Sequence, residues 1–190
     1  DGVGWMIVFV SGAVRSGKSE AAEACARRLV HGGRLCYLAT AQASDEEMTA
    51  RIRRHQERRT ADMVHWTVWE APTRLGRFAR SLHPSDVVLI DCLTVWLANE
   101  LFRGDSWKNE ETAVATADRL LDEVRRLAAA CRAVVIVSNE IFSGGVPTDI
   151  GTFHYMKTLG WLHQQLVAEA GVAAVVECGL VRVKKGRWPQ

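Results

Sequence analysis

The sequence predicts an α/β domain whose mostly parallel central sheet is flanked by helices, and three observations carry that expectation. Short apolar runs rich in branched side chains alternate with amphipathic helical segments, the pattern of parallel strands joined by right-handed crossovers. The first run ends in a glycine-rich turn that opens directly into a helix. The 190 residues supply one real core and leave no room for a second full domain.

The elements follow in order. Met6 to Ser11 (MIVFVS) is a branched apolar run ending at a glycine, as a buried parallel strand does. Ser19 to Val30 is a helix stopped by Gly32-Gly33, and Arg34 to Thr40 a second strand. Ser44 to Arg59 predicts a helix with Ser44 and Glu47 as a capping box. Acidic residues lie in its first turn and arginines in its last, which suits the helix dipole. Val64 to Glu70 alternates and reads as a strand, Pro72 opens a helix to about Leu82, and Asp86 to Asp91 (DVVLID) is an apolar strand ending in a carboxylate. A helix from about Thr94 to Phe102, a polar loop from Arg103 to Asn109 and a long amphipathic helix from Glu110 to Cys131 come next. They lead to a strand at Ala133 to Ser138, a loop from Asn139 to Asp149 and a helix from Thr152 to Ala170. Val172 to Cys178 and Leu180 to Lys184 form a final strand pair turning near Gly179. Residues 6–185 make the domain, with 1–5 and 186–190 as tails.

Bulk composition narrows the function classes. Apolar residues make up 48% and charged residues 24%, the balance of a globular chain. A net charge of +2 supplies no broad positive field, so a nucleic-acid partner is not expected. No apolar run approaches the roughly 20 residues of a membrane helix, and the start lacks the pattern of a secretory signal. The five scattered cysteines, Cys25, Cys36, Cys92, Cys131 and Cys178, form no Cys-x-x-Cys pair and read as buried reduced thiols, which suits a cytoplasmic protein. His31, His65, His83, His154 and His163 show no metal-ligand spacing and read as surface or loop residues.

The chemistry starts at Gly12-Ala13-Val14-Arg15-Ser16-Gly17-Lys18-Ser19, a complete G-x-x-x-x-G-K-[ST] loop with a strand before it and a helix after it. Glycines let the backbone curl so that N–H groups point inward at a phosphate, and the helix start adds its positive end. Lys18 is expected on the β and γ phosphates and the Ser19 hydroxyl on Mg²⁺. Asp91, on the tip of a strand expected to lie beside the P-loop strand, is the second candidate Mg²⁺ ligand; its alternative role is to cap the helix that follows.

The segment Arg51 to Arg59 (RIRRHQERR) places one histidine among cations. Arg51, His55 and Arg59 recur every four residues and share a helix face. Neighbouring positive charge disfavours imidazolium, and a neutral imidazole is a nucleophile. The same spacing also fits a solvated helix whose arginines pair with Glu47 and Glu57, so these residues alone leave His55 undecided.

Five segments in order (VSGAVRSGKS, YLATAQASDEEMTARIRRHQERR, WTVWE, LIDCLTVWLANELF and VSNEIFSGGVP) resemble the bifunctional adenosylcobinamide kinase / adenosylcobinamide-phosphate guanylyltransferase family over roughly residues 6 to 147. The second is far more specific than a P-loop. The resemblance implies a recombinase-like P-loop fold and two reactions. A nucleoside triphosphate, ATP or GTP, phosphorylates adenosylcobinamide; GMP then passes from GTP to that phosphate through a histidine–GMP phosphoramidate. It places His55 as the nucleophile and Lys18 with the triphosphate. Thr40, Ala41, Gln42, Arg59, Glu70 and Asp91 fall near nucleotide or Mg²⁺. It further implies a homo-oligomer, a ring-like homotrimer, with a corrinoid substrate. The match weakens after Pro147: Gly160 and Gln164 fit, but Met156, Lys157 and His163 stand where Arg, Asp and Asn are usual; before it, in the loop after Asn139-Glu140, Phe142 also replaces a usual glycine. The alternatives are a P-loop kinase of another small alcohol and a nucleotide-binding regulator without turnover.

Overall fold

The computed structural model describes residues 6–41, 53, 65–140 and 149–190. Its strands are β1 (Ile7–Gly12), β2 (Leu35–Ala39), β3 (Trp66–Glu70), β4 (Val87–Asp91), β5 (Ala133–Asn139), β6 (Val172–Glu177) and β7 (Leu180–Lys185). The α-helices are α1 (Lys18–Leu29), α2 (Leu93–Phe102), α3 (Glu110–Ala130) and α4 (Ile150–Glu169). One seven-stranded sheet runs β3-β2-β4-β5-β1-β6-β7, parallel throughout except for β7, which returns antiparallel along β6.

Both sheet faces are covered, which is why β1, β4 and β5 read as continuous apolar runs rather than alternating ones. On one face α1 lays Ala22, Cys25 and Ala26 against Val8, Val10, Leu89, Val135 and Val137. On the other, Trp96, Leu97 and Leu101 of α2, Leu120 and Leu127 of α3 and Leu162 and Leu166 of α4 close over Phe9, Val88, Ile90 and Ile136. Asn109 and Asp149 accept the backbone N–H of Thr112 and Thr152 and so start α3 and α4 at the polar residues before each apolar stripe.

Four expectations change. The segment after Pro72 is a 3₁₀ helix over Leu75–Ser81 rather than an α-helix. Gly76 disfavours the wider helix, and a side chain there would collide with Arg126 and Glu123 of α3. The Arg103–Asn109 loop holds a short 3₁₀ turn at Ser106–Lys108. Strand β4 does not neighbour β1, because β5 lies between them; local pattern fixes strands but not their order across the sheet. Finally, not every histidine and cysteine sits where expected. His31, His65 and His83 are exposed, whereas His154 is buried with Nδ1 2.8 Å from the Trp107 carbonyl. His163 is half-buried against Phe9. Cys25, Cys36 and Cys92 are buried, Cys131 is partly so, and Cys178 is exposed in the β6–β7 turn.

Candidate active site

The glycine-rich loop leaves β1 at the carboxyl end of the sheet, where parallel α/β folds place their ligands. Its curl demands the residues found there. A Cβ on Gly12 would stand 2.5 Å from the Ser16 hydroxyl and 2.7 Å from the Val176 carbonyl. Gly17 holds φ +91° and packs on Gly179, while Arg15 takes the left-handed region with φ 61°, a conformation non-glycine residues adopt at a cost. The Ala13 carbonyl accepts from the Ser16 N–H at 3.2 Å and from Lys18 Nζ at 2.9 Å. Lys18 is buried to 2% exposure, so its ammonium lies under the loop rather than in solvent.

The loop rests on a distant part of the chain. Cys178 and Gly179 have consecutive positive φ values, as in a type I′ hairpin turn. The Gly179 N–H donates to the Ser16 carbonyl at 2.7 Å. The last hairpin therefore props the phosphate loop, a contact no sequence motif announces.

Among the described residues, two hydroxyls in this loop are buried without a hydrogen-bond partner, Ser16 Oγ and Ser19 Oγ. Leaving a buried hydroxyl unpaired costs about 1–3 kcal/mol, and in a native fold such a group is completed by a water, an ion or a ligand or has a functional role. A Mg²⁺–triphosphate fits: it brings oxygen acceptors for one hydroxyl and a hard cation for the other.

Asp91 ends β4 in register with Ala39 and Val137. It does not cap α2, whose N-cap is Cys92 with no side-chain cap. Instead its Oδ2 accepts a short hydrogen bond from the Tyr37 hydroxyl on β2, which fixes the carboxylate on the strand tip. Thr40 Oγ1 accepts the Cys92 N–H at 2.8 Å and donates to the Cys92 carbonyl at 2.9 Å, clamping the chain just past Asp91. Asn99 Nδ2 reaches the Thr40 carbonyl at 3.0 Å. With strands roughly 4.8 Å apart, Asp91 is about 10 Å along the sheet from the P-loop strand. Helix α1 covers that interval, packing on β4 and β5.

The structure thus brings Gly12, Ala13, Val14, Arg15, Ser16, Gly17, Lys18, Ser19, Thr40, Ala41 and Asp91 to one end of the sheet. Glu70 shares that end but lies on edge strand β3, in register with Ala39 and four strand spacings, roughly 19 Å, from β1. Gln42, His55 and Arg59 fall outside the described residues.

A second polar cluster braces the tip of β5. Ser138 Oγ lies 2.6 Å from His163 Nε2, the Asn139 N–H donates to Thr94 Oγ1 at 3.0 Å, and the Tyr155 hydroxyl donates to the Thr94 carbonyl at 2.9 Å. Burial pushes His163 down to about 4 and so keeps its ring neutral. The Glu140 N–H then donates to the Gly12 carbonyl at 3.0 Å, tying β5 to the start of the phosphate loop. Sequence reading gives no site role to Tyr37, Gly179 or this cluster; each acts through a partner far away in the chain.

Fold and loop together define a P-loop nucleoside-triphosphate-binding protein of the α/β class. Comparison with known proteins sharpens that. Residues 8–183 match the model of the family described as cobinamide kinase / cobinamide phosphate guanyltransferase, and the chain belongs to that family. It is 34% identical over 187 residues to the bifunctional adenosylcobalamin biosynthesis protein CobU of Escherichia coli, covering 94% of this chain and 100% of the relative. The Salmonella typhimurium protein of the same name is 35% identical with the same coverage. The Pseudomonas aeruginosa protein CobP is 35% identical over 179 residues, 94% of this chain and 96% of the relative. Among solved structures, the flagellar accessory protein FlaH of Methanocaldococcus jannaschii aligns over 96% of this chain and 79% of its own, with TM-score 0.49 and 11% identity.

Proposed function

We propose that this protein carries out two successive transfers on one corrinoid. It phosphorylates the hydroxyl of adenosylcobinamide with a nucleoside triphosphate, then transfers GMP from GTP onto that phosphate, releasing pyrophosphate and giving adenosylcobinamide-GDP. The observation that carries this reading is the pair of buried, partnerless hydroxyls in a complete phosphate loop, in a chain matched by the family over residues 8–183.

In the first transfer the loop amides and Lys18 hold the triphosphate and neutralise charge that shifts onto the leaving β-phosphate. Ser19 and Asp91 would hold Mg²⁺, which supplies further neutralisation of the β and γ oxygens when bound. In the second, the His55 imidazole attacks the α-phosphorus of GTP and pyrophosphate leaves; the phosphorylated corrinoid then takes GMP from the imidazole nitrogen. A homo-oligomer, in the form of a homotrimer, completes the reading, and light scattering of the purified chain tests it.

The decisive measurement is intact mass after mixing with Mg²⁺ and GTP. The expected result is an acid-labile GMP adduct mapping to His55 and lost in His55→Ala. Label in the γ position of the triphosphate should reach cobinamide, while label in the α position should pass through the protein. A wild-type chain that never carries α label removes the second transfer.

A further inference from the structure

We propose that Glu140 is the catalytic base of the first transfer, accepting the proton of the corrinoid hydroxyl as that oxygen attacks the γ-phosphorus. The proposal rests on the two-transfer reading above and adds a residue to its first half.

Position carries the argument. Strand β5 lies between the P-loop strand and the Asp91 strand. Its last residue, Asn139, is in register with Gly12, and the next N–H, that of Glu140, is bonded to the Gly12 carbonyl. Glu140 therefore stands beside the mouth of the loop, one strand spacing from β1, about 4.8 Å. Its side chain is exposed. Among the described residues its carboxylate has neither ion pair nor hydrogen bond, unlike Asp91, Glu177 and Asp149 at this end of the sheet. Asp91 takes the Tyr37 hydroxyl, Glu177 pairs with Arg182 at 3.3 Å, and Asp149 caps α4. Glu70 is unsuited by distance, four strands out.

The mount is rigid as well as close. Ser138 on His163 and Asn139 on Thr94 fix the tip of β5 against two helices, and the Tyr155 hydroxyl on the Thr94 carbonyl ties those helices together. A base must be held within hydrogen-bond reach of one proton, so a braced strand end suits the task better than a loop.

The chemistry separates the two transfers. In the first, the acceptor O–H bond breaks and its proton goes to a Glu140 oxygen. The O–Pγ bond forms, and the bond from Pγ to the β-bridging oxygen breaks, releasing the nucleoside diphosphate. In the second, the attacking groups are a neutral imidazole and an ionised phosphate. Neither carries a proton that must be removed, so Glu140 has no part there.

The test is Glu140→Gln, which keeps shape and removes the base. Phosphorylation of cobinamide from γ-labelled triphosphate should fall by about 10²–10⁴-fold. The acid-side limb of its pH–rate profile should vanish, and Glu140→Asp should recover part of the rate. The GMP adduct on the protein, and its transfer to preformed cobinamide phosphate, should stay within about threefold of wild type on the same argument; that adduct also shows that the variant folds. Phosphorylation within about threefold of wild type overturns the proposal, as does parallel loss of both transfers, which marks a structural residue. Absence of cobinamide phosphorylation in the wild type itself sinks the functional reading and the base assignment with it.

Discussion

A buried polar cluster stands at each end of the sheet, and the two are satisfied to different degrees. At the amino end Asp86, with its side chain fully buried, accepts hydrogen bonds from the Arg34 backbone N–H, Arg34 Nε and Nη2 and the His83 N–H, between 2.7 and 3.2 Å. In the phosphate loop at the carboxyl end, Ser16 and Ser19 bury hydroxyls with no partner among the described residues. The satisfied Asp86 cluster, far from the phosphate loop, has a structural task. An unsatisfied pair stores a desolvation cost that a ligand relieves; Trp66 Nε1, at the start of β3, also has no hydrogen-bond partner among the described residues, so it is the glycine-rich loop around the two serines that locates the site.

Disabling the unsatisfied end should give the largest effect on activity. Lys18→Ala removes a preorganised cation aimed at developing phosphate charge and should lower both transfers by at least about 10²–10³-fold. Steady-state assay of each transfer checks this, and retained phosphorylation would mean that the two do not share one triphosphate site.

Disabling the satisfied end should cost stability and not chemistry. Asp86→Asn leaves Arg34 without its counterion and should cost about 3 kcal/mol, the low end for a buried pair because Arg34 is half exposed. For a domain of this size that lowers Tm by roughly 6–12 °C. Acid should reveal the same group. Burial alone would raise the Asp86 carboxyl, but the hydrogen bonds from Arg34 and His83 and the Arg34 charge outweigh it and hold the group below its ordinary value. Stability from such a carboxylate is complete above its unfolded value of roughly 3.9 and is lost as pH falls through the lower folded one. Melting curves below about pH 4 should therefore fall more steeply in wild type than in Asp86→Asn; parallel curves would detach Asp86 from acid sensitivity.

The smallest effect is the most discriminating. Ser16→Ala deletes an unpaired buried hydroxyl and should raise the nucleotide-free stability by up to about 1 kcal/mol while weakening triphosphate binding by a similar amount. Opposite signs in melting temperature and in calorimetric affinity are the signature of a group waiting for a ligand. Loss in both would make Ser16 part of the scaffold.

Much of this was legible in the sequence, for reasons that differ by element. The strand at Asp86 to Asp91 and the cap at Asn109 are local: branched apolar runs and a short polar side chain decide their own conformation within a few residues. The glycine-rich loop is local too, since its curl depends on what Gly12 and Gly17 lack. The 3₁₀ helix at Leu75–Ser81 differs from the expected α-helix where a distant partner intervenes: the Gly76 N–H donates to Glu123 Oε1 at 2.9 Å, nearly fifty residues away. His163 was misread because only the packing of α4 against β1 and β5 buries it.

The sequence by itself therefore determined an α/β chain with a triphosphate loop, because hydrophobic period, caps and glycine placement act over one or two turns of backbone. The tertiary structure alone decided that β5 separates the loop from Asp91, that Tyr37 holds Asp91, that the Cys178–Gly179 turn supports Ser16 and that Glu140 stands at the loop's mouth. Those are choices of strand order and long-range contact, made by the whole sheet burying both faces at once, and no short stretch of residues encodes them.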